Sequence, residues 1–369
     1  MSIFFKKRKP GLTSELRTLL TEFSETQISI PYPTKTSANV DRVKKLEWYF
    51  LRKCFEAAQT PDEVFSLLRP AFQSFQYKYE KVLDVVESNG FEVCKFGRFH
   101  KNKNHNRKIY FYHDVHAWDI FPALALVDTN IQRNICTTFF LNWRCDGVDA
   151  DNEIAYMLFQ QLVGENVEIG MHAAPLSTWI LSEVFKDDQE LFVKWVYSDS
   201  IKNDILALID PSMPPAFNQF RMCDVKSSLR IFFPKFLREF KKEFPQAITL
   251  NHHGDQVARE IIGIYSDSSS GIHSKEKKKI ITGDLRDLLS VNWMMSTNIL
   301  KYGFKDCVPS AFVRCGGRNG KLVHFPEGKN KQDYLDNLDK ALKKAAEKGV
   351  PVTLINHPAG FSNGKLVIT

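Results

Sequence analysis

Ile109-Tyr-Phe-Tyr-His113 is apolar on both faces and follows Arg98-Phe-His-Lys-Asn-Lys-Asn-His-Asn-Arg-Lys108, a basic connector in which no helical or strand periodicity survives. A short run without a polar face suits a strand covered on both sides, as parallel strands are. Comparable runs recur at 135–141, 167–171, 205–209, 247–251 and 350–356. Helical patterns fall between them. Residues 152–162 set Ile154, Met157, Leu158 and Leu162 on one face, and residues 334–348 do the same with Leu335, Leu338, Leu342 and Ala345 before Gly349, a helix-ending glycine. This alternation predicts an α/β sheet or barrel.

Upstream of the connector the pattern is helical alone. Residues 41–58 place Val43, Leu46, Phe50 and Leu51 at i, i+3, i+7 and i+8, and Thr60-Pro-Asp-Glu63 opens a second helix with a capping residue followed by proline. The chain is therefore expected to divide into a mainly helical, basic region, 1–106, and an α/β domain, 107–369. The basic character is local: residues 1–108 carry 20 Lys and Arg against 12 Asp and Glu, whereas the rest carry 30 against 31. Such a region is suited to peripheral contact with an anionic membrane or a protein. No nucleic-acid signature accompanies the charge, so no nucleic acid is expected as a partner.

With 43% apolar and 25% charged residues over 369 positions, the chain has the composition of a globular protein, not of a disordered or collagen-like one. Its seven cysteines include no CxxC pair, which fits reduced thiols better than a disulfide framework or a zinc ribbon. No apolar run reaches membrane-spanning length, and the first ten residues lack the apolar core of a secretory signal, so a cytoplasmic location is expected. Phe232-Phe-Pro-Lys-Phe-Leu-Arg-Glu-Phe240 reads as the packed face of a helix, Cys315-Gly-Gly-Arg-Asn-Gly320 as a glycine-rich turn, and 266–279 as a surface insertion.

The histidines carry the chemical signal. His113, His116, His172, His252, His253 and His357 fall at or just past expected strand ends. In parallel α/β sheets and barrels, side chains beyond the carboxyl ends of strands converge on one rim, where ligands bind. An aspartate among several imidazoles at such a rim is the composition of a divalent-metal hydrolase site, and nitrogen-rich ligation favours zinc or another late first-row ion.

Four of these segments, Tyr112-His-Asp-Val-His116, Thr137-Thr-Phe-Phe-Leu141, Glu168-Ile-Gly-Met-His172 and Leu354-Ile-Asn-His-Pro358, resemble in order and spacing the motifs of the polysaccharide deacetylase (NodB-homology, carbohydrate esterase family 4) family. The resemblance is to the branch whose first motif reads H-D-V-D, and it covers about residues 107–360. It implies a NodB-like irregular (β/α) barrel with a helical N-terminal extension. It also implies a metal-dependent deacetylase acting on the N-acyl group of a sugar or glycoconjugate precursor. By position, Asp114 matches the general base and His357 the general acid. His116 falls where the family has its metal-binding aspartate, and His172 matches the first histidine of the H-x-x-x-H metal motif. The second histidine of that motif falls at Leu176, so a further donor is needed; His253 is preferred to His252 because Gly254 lets the backbone turn inwards. A catalytically inactive barrel that binds a glycan or a protein is the alternative that the missing histidine suggests.

Amide hydrolysis explains these residue types. The reaction needs an activated water, charge stabilisation at the acyl oxygen and a proton for the leaving nitrogen, which a divalent ion, a carboxylate and a histidine supply.

Overall fold

The structure, a computed structural model, describes residues 38–101, 104–116, 119–143, 157–160, 166–209, 222–252, 257, 297–307 and 331–358, with isolated positions between 14 and 21. The fold is mixed α/β with parallel strands and many helices. The chain separates into two compact units: Met1–Leu141 with Val148–Gly170 and Phe312–Thr369, and Asn142–Gly147 with Met171–Ala311.

The first unit starts with α1 (Ala38–Ala57) and α2 (Pro61–Ser88), followed by β1 (Glu92–Cys94) and a 3-10 turn at Phe96–Lys101. Then come β2 (Lys108–Val115), α3 (Ile120–Arg133), β3 (Thr137–Leu141) and the start of β4 (Val167–Ala173), and the unit closes with α8 (Lys331–Lys348) and β7 (Val352–Asn356). β2 is its central strand. β7 pairs along one edge at Ile109–His113, while β1 and then β3 share the other edge, opposite Lys108–Tyr110 and Tyr112–Val115, all in parallel. Both faces of β2 are covered, which its unbroken apolar sequence predicts.

The two faces differ in what covers them. Tyr79 of α2 packs on Phe111 and His113, and both His113 and Phe111 are among the fully buried side chains. On the other face Phe96 sits among Tyr110, Tyr112 and Phe140. Side chains of neighbouring parallel strands in register share a face. Hence Asp114 and the residue after Asn356, which is His357, belong to the Phe96 side, and their strands end together.

Local signals built these elements. α2 begins where Thr60 accepts a bond from Glu63 N at 3.3 Å, with Pro61 in the first turn and Asp62 and Glu63 against the positive end of the helix dipole. α3 is buried continuously from Ile120 to Asn130 and ends at Asn134, whose φ of 51° is a left-handed conformation that asparagine tolerates. Gly349, at φ 63°, ends α8 as its position predicted.

The expected division at residue 106/107 is not where the compact units separate. α2 and α3 are clamped: Arg69 donates to both oxygens of the buried Asp128, Gln76 donates to the same carboxylate at 2.7 Å, and Tyr79 donates to Asn130 at 2.9 Å. α2 thus belongs to the layer that covers the first unit's sheet, and the described residues of the connector lie within that unit.

The second unit holds the end of β4, α4 (Pro175–Trp179) with a π turn at Ile180–Val184, α5 (Gln189–Val196) and α6 (Ile201–Ile209). It continues with α7 (Met222–Glu243), β5 (Thr249–His252), a 3-10 turn at Thr297–Tyr302 and β6 (Asp306–Cys307), parallel to β5. Its core is aromatic, with Trp143 against Phe236 and Phe240, and Phe240 against Phe244 and Phe304. The phenylalanines of α7 pack as the sequence predicted. The strand expected at 205–209 is instead the end of α6, because Ile201 and Ile205 form the buried helical stripe that a five-residue apolar run conceals. Of the helix expected at 152–162, residues 157–160 are described and helical. The expected turn at 315–320 and insertion at 266–279 lie outside the described residues.

Candidate metal centre

β2 ends at Val115, and the chain turns through His116 to Asp119, the residue that caps α3. The turn is closed twice: Asp119 N donates to the His116 carbonyl at 2.9 Å, and His116 N donates to Asp119 Oδ2 at 3.2 Å. The Asp119 carboxylate makes no capping bond to its own helix. It is thereby turned towards the rim where β7 delivers His357. Asp119 Oδ2 and His357 Nδ1 are 3.5 Å apart, and the rings of His116 and His357 are 4.9 Å apart with a 33° tilt. One ligand atom from each of His116, Asp119 and His357 lies within 4.8 Å of the others.

This group fits a divalent ion. Two imidazole nitrogens and a carboxylate oxygen are donors for zinc and its neighbours, and two donors ~2.1 Å from a tetrahedral ion stand about 3.4 Å apart. Three protein ligands leave a position open, the pattern of a catalytic centre and not of a closed structural one. His116 and Asp119 are buried, while the His357 side chain is 28% exposed, so the group is reached from the His357 side.

The structure brings some of the expected site residues together and not others. His116 stands where a ligand was expected. His357, expected as an acid apart from the ion, lies within the group of three candidate donors, because β7 pairs with β2 and ends beside it. Asp114 is buried on the same face of β2 as His116, two residues earlier, and is not one of the three. Burial, and after it the negative charge of Asp114, holds the Tyr112 hydroxyl well above the ordinary tyrosine range. His172 is buried at the carboxyl end of β4, in the second unit, and does not join the group. His252 ends β5, and His253 lies outside the described residues. Leu176, at the place of the expected second metal histidine, is a buried apolar residue of α4.

Asp119 was not among the sequence candidates. An aspartate directly before an apolar helical run reads as a helix cap, and only the absence of that capping bond distinguishes it.

Three residues before His116, His113 has the opposite environment. It is fully buried on the helix side of β2, its ring centroid 4.7 Å from those of both Phe111 and Phe139 at a tilt, and bonded to Asn356 and Thr137. Burial pushes its imidazole down to about 3, so it is neutral and structural. Glu168, on β4, accepts bonds from Gly97 N at 2.8 Å and the Thr138 hydroxyl at 2.9 Å, and burial raises its carboxyl above the usual range despite them.

Compared with protein-family models, with curated proteins and with solved structures, the chain matches none. Among the described residues, no helix is long and apolar enough to cross a membrane.

Proposed function

We propose that this protein is a metal-dependent hydrolase that removes the acyl group from the nitrogen of a sugar or glycoconjugate precursor, with one divalent ion, zinc by preference, held by His116, Asp119 and His357. The observation that carries the reading is the convergence of those three donors at the carboxyl ends of parallel β2 and β7. The donor set, one carboxylate and two imidazoles, has the composition that the deacetylase resemblance asks for, drawn from different positions. The NodB-like barrel is part of the same proposal and rests on the ordered motifs and the parallel strands.

When bound, the ion supplies polarisation of an acyl carbonyl and a more acidic water. Asp114, on the face of β2 that leads to His116, would take the proton of the attacking water and return it to the leaving nitrogen, and its burial would keep bulk solvent from competing. His116 and Asp119 are fixed by their reciprocal turn, so the donors are held before any ligand arrives. The exposed edge of His357 is where substrate approaches.

Leu176 favours a second reading, a barrel that binds glycan without turnover. Purified protein loaded with Zn²⁺ and given N-acetylated chito-oligosaccharides separates the two. Release of acetate, lost in Asp114→Asn with the ion retained, supports the hydrolase. Glycan binding without acetate release supports the silent form, and a protein that takes up no divalent ion contradicts the hydrolase.

A further inference from the structure

We infer that His113 is a positioning residue for the metal centre, setting His357 in place through the side chain of Asn356 across the β2–β7 ladder. This rests on the metal-centre reading above and adds to it a residue that faces away from the ion.

His113 and Asn356 are register partners, and His113 Nδ1 is hydrogen-bonded to Asn356 Oδ1. Both side chains are buried on the helix side of the sheet. Since neighbours along a strand point to opposite faces, fixing Asn356 on one face fixes His357 on the other. A slip of one residue in this pairing would reverse both, so the register decides whether His357 meets Asp119 at all.

The bond is directional and is anchored far from the rim. With Asn356 Oδ1 accepting, the proton is on Nδ1, and Nε2 accepts the Thr137 hydroxyl at 3.2 Å. Thr137 Oγ1 accepts from Asn130 Nδ2 at 2.8 Å, and Asn130 Oδ1 accepts from the Tyr79 hydroxyl at 2.9 Å. One chain of bonds therefore runs from α2 through α3, β3 and β2 to β7. Asn356 Nδ2 is buried without a partner, so the oxygen bonded to His113 is the one side-chain anchor this asparagine has. Loss of it leaves a buried amide unsatisfied next to a ligand, a cost that rearrangement of the strand end relieves.

Two substitutions separate positioning from packing. His113→Phe keeps an aromatic ring against Phe111, Phe139 and Tyr79 but removes both bonds. His113→Asn loses the ring, yet its amide nitrogen replaces Nδ1 as donor to Asn356. Zn²⁺ affinity by competition with a chromophoric chelator, and the thermal midpoint of the metal-free protein, are measured on the full chain. For positioning, His113→Phe keeps a midpoint near wild type and binds Zn²⁺ ~10-fold more weakly, on the scale of losing a ligand-supporting bond. His113→Asn lowers the midpoint and holds affinity within about threefold. Affinity that follows the midpoint in both variants, or wild-type affinity in His113→Phe, overturns the inference. If His113→Phe fails to fold, His113→Asn decides alone: retained affinity supports positioning and lost affinity refutes it. If the wild type binds no ion, the metal-centre reading fails, and a structure of His113→Phe tests positioning separately: an unchanged 3.5 Å separation of His357 Nδ1 from Asp119 Oδ2 overturns it.

Discussion

Asp119 and Asp128 stand at the start and in the middle of the same helix, both essentially buried, at 0% and 1% side-chain exposure, and their surroundings differ in kind. Asp128 is answered by a guanidinium at 2.7 Å and by the amides of Gln76 and Gln132. Asp119 lies between two imidazoles, with one of its oxygens on the amide of His116. A guanidinium is always charged and locks a carboxylate into the fold, whereas imidazole nitrogens beside a carboxylate are a donor set that can hold an ion. Under the proposed function, the difference separates a structural acid from a metal-binding one at a single helix. It also shows why burial alone identifies neither.

The contrast predicts opposite phenotypes for one substitution. Asp119→Asn should lower Zn²⁺ affinity by about three orders of magnitude, roughly 4 kcal/mol, the scale of removing one partner from a buried charged group. It should change the stability of the metal-free protein by less than about 1 kcal/mol. Asp128→Asn should reverse the pattern, with stability lower by about 2 kcal/mol and metal affinity unchanged. That figure is kept small because Arg69 is 48% exposed and water answers part of its charge. Chelator competition and urea unfolding of both variants check the pair, and parallel losses in the two would erase the distinction.

Two buried titrating groups sharpen it further. The folded-state value of His113, about 3, lies below the unfolded value near 6.5. Between these limits the unfolded chain binds a proton that the folded protein refuses. Stability therefore falls as pH drops from about 6.5 towards 3, by ~1.4 kcal/mol per pH unit from this group, and His113→Phe should remove that slope. Glu168 acts in the opposite sense. Its raised carboxyl favours the folded state below the unfolded value of about 4.3 and loses that contribution as pH rises through the folded value. Glu168→Gln should flatten this decline, read from unfolding midpoints between pH 4 and 7. A pH profile unchanged by either substitution would place the titrating groups elsewhere.

The strands around the centre were readable because burial on both faces leaves a run such as Ile109-Tyr-Phe-Tyr-His113 with no polar alternation, and β2, β3, β4 and β7 all appear within two residues of the expected limits. β1 was not readable: three residues, Glu92-Val-Cys94, pair on one edge and carry no period long enough to detect. α6 was misread because its apolar end is as short as a strand. His116 and His357 were found through their strand-end positions. Asp119 was missed because its capping position explains it locally, and only the meeting of β2 and β7 gives it another use. The covering role of α2 was hidden for a similar reason. Arg69, Gln76 and Tyr79 look like surface and core residues of a helix, and their partners on α3 are about fifty residues away in sequence.

The central claim is that His116, Asp119 and His357 bind one divalent ion. Its most direct test is the Zn²⁺ stoichiometry of the wild-type chain and of Asp119→Asn at pH 7.5, by chelator competition with circular dichroism as a check on folding. One equivalent in the wild type and an affinity about a thousandfold lower in a folded Asp119→Asn is the predicted result. A wild type that takes up no zinc, or an Asp119→Asn protein that binds it as tightly, contradicts the account.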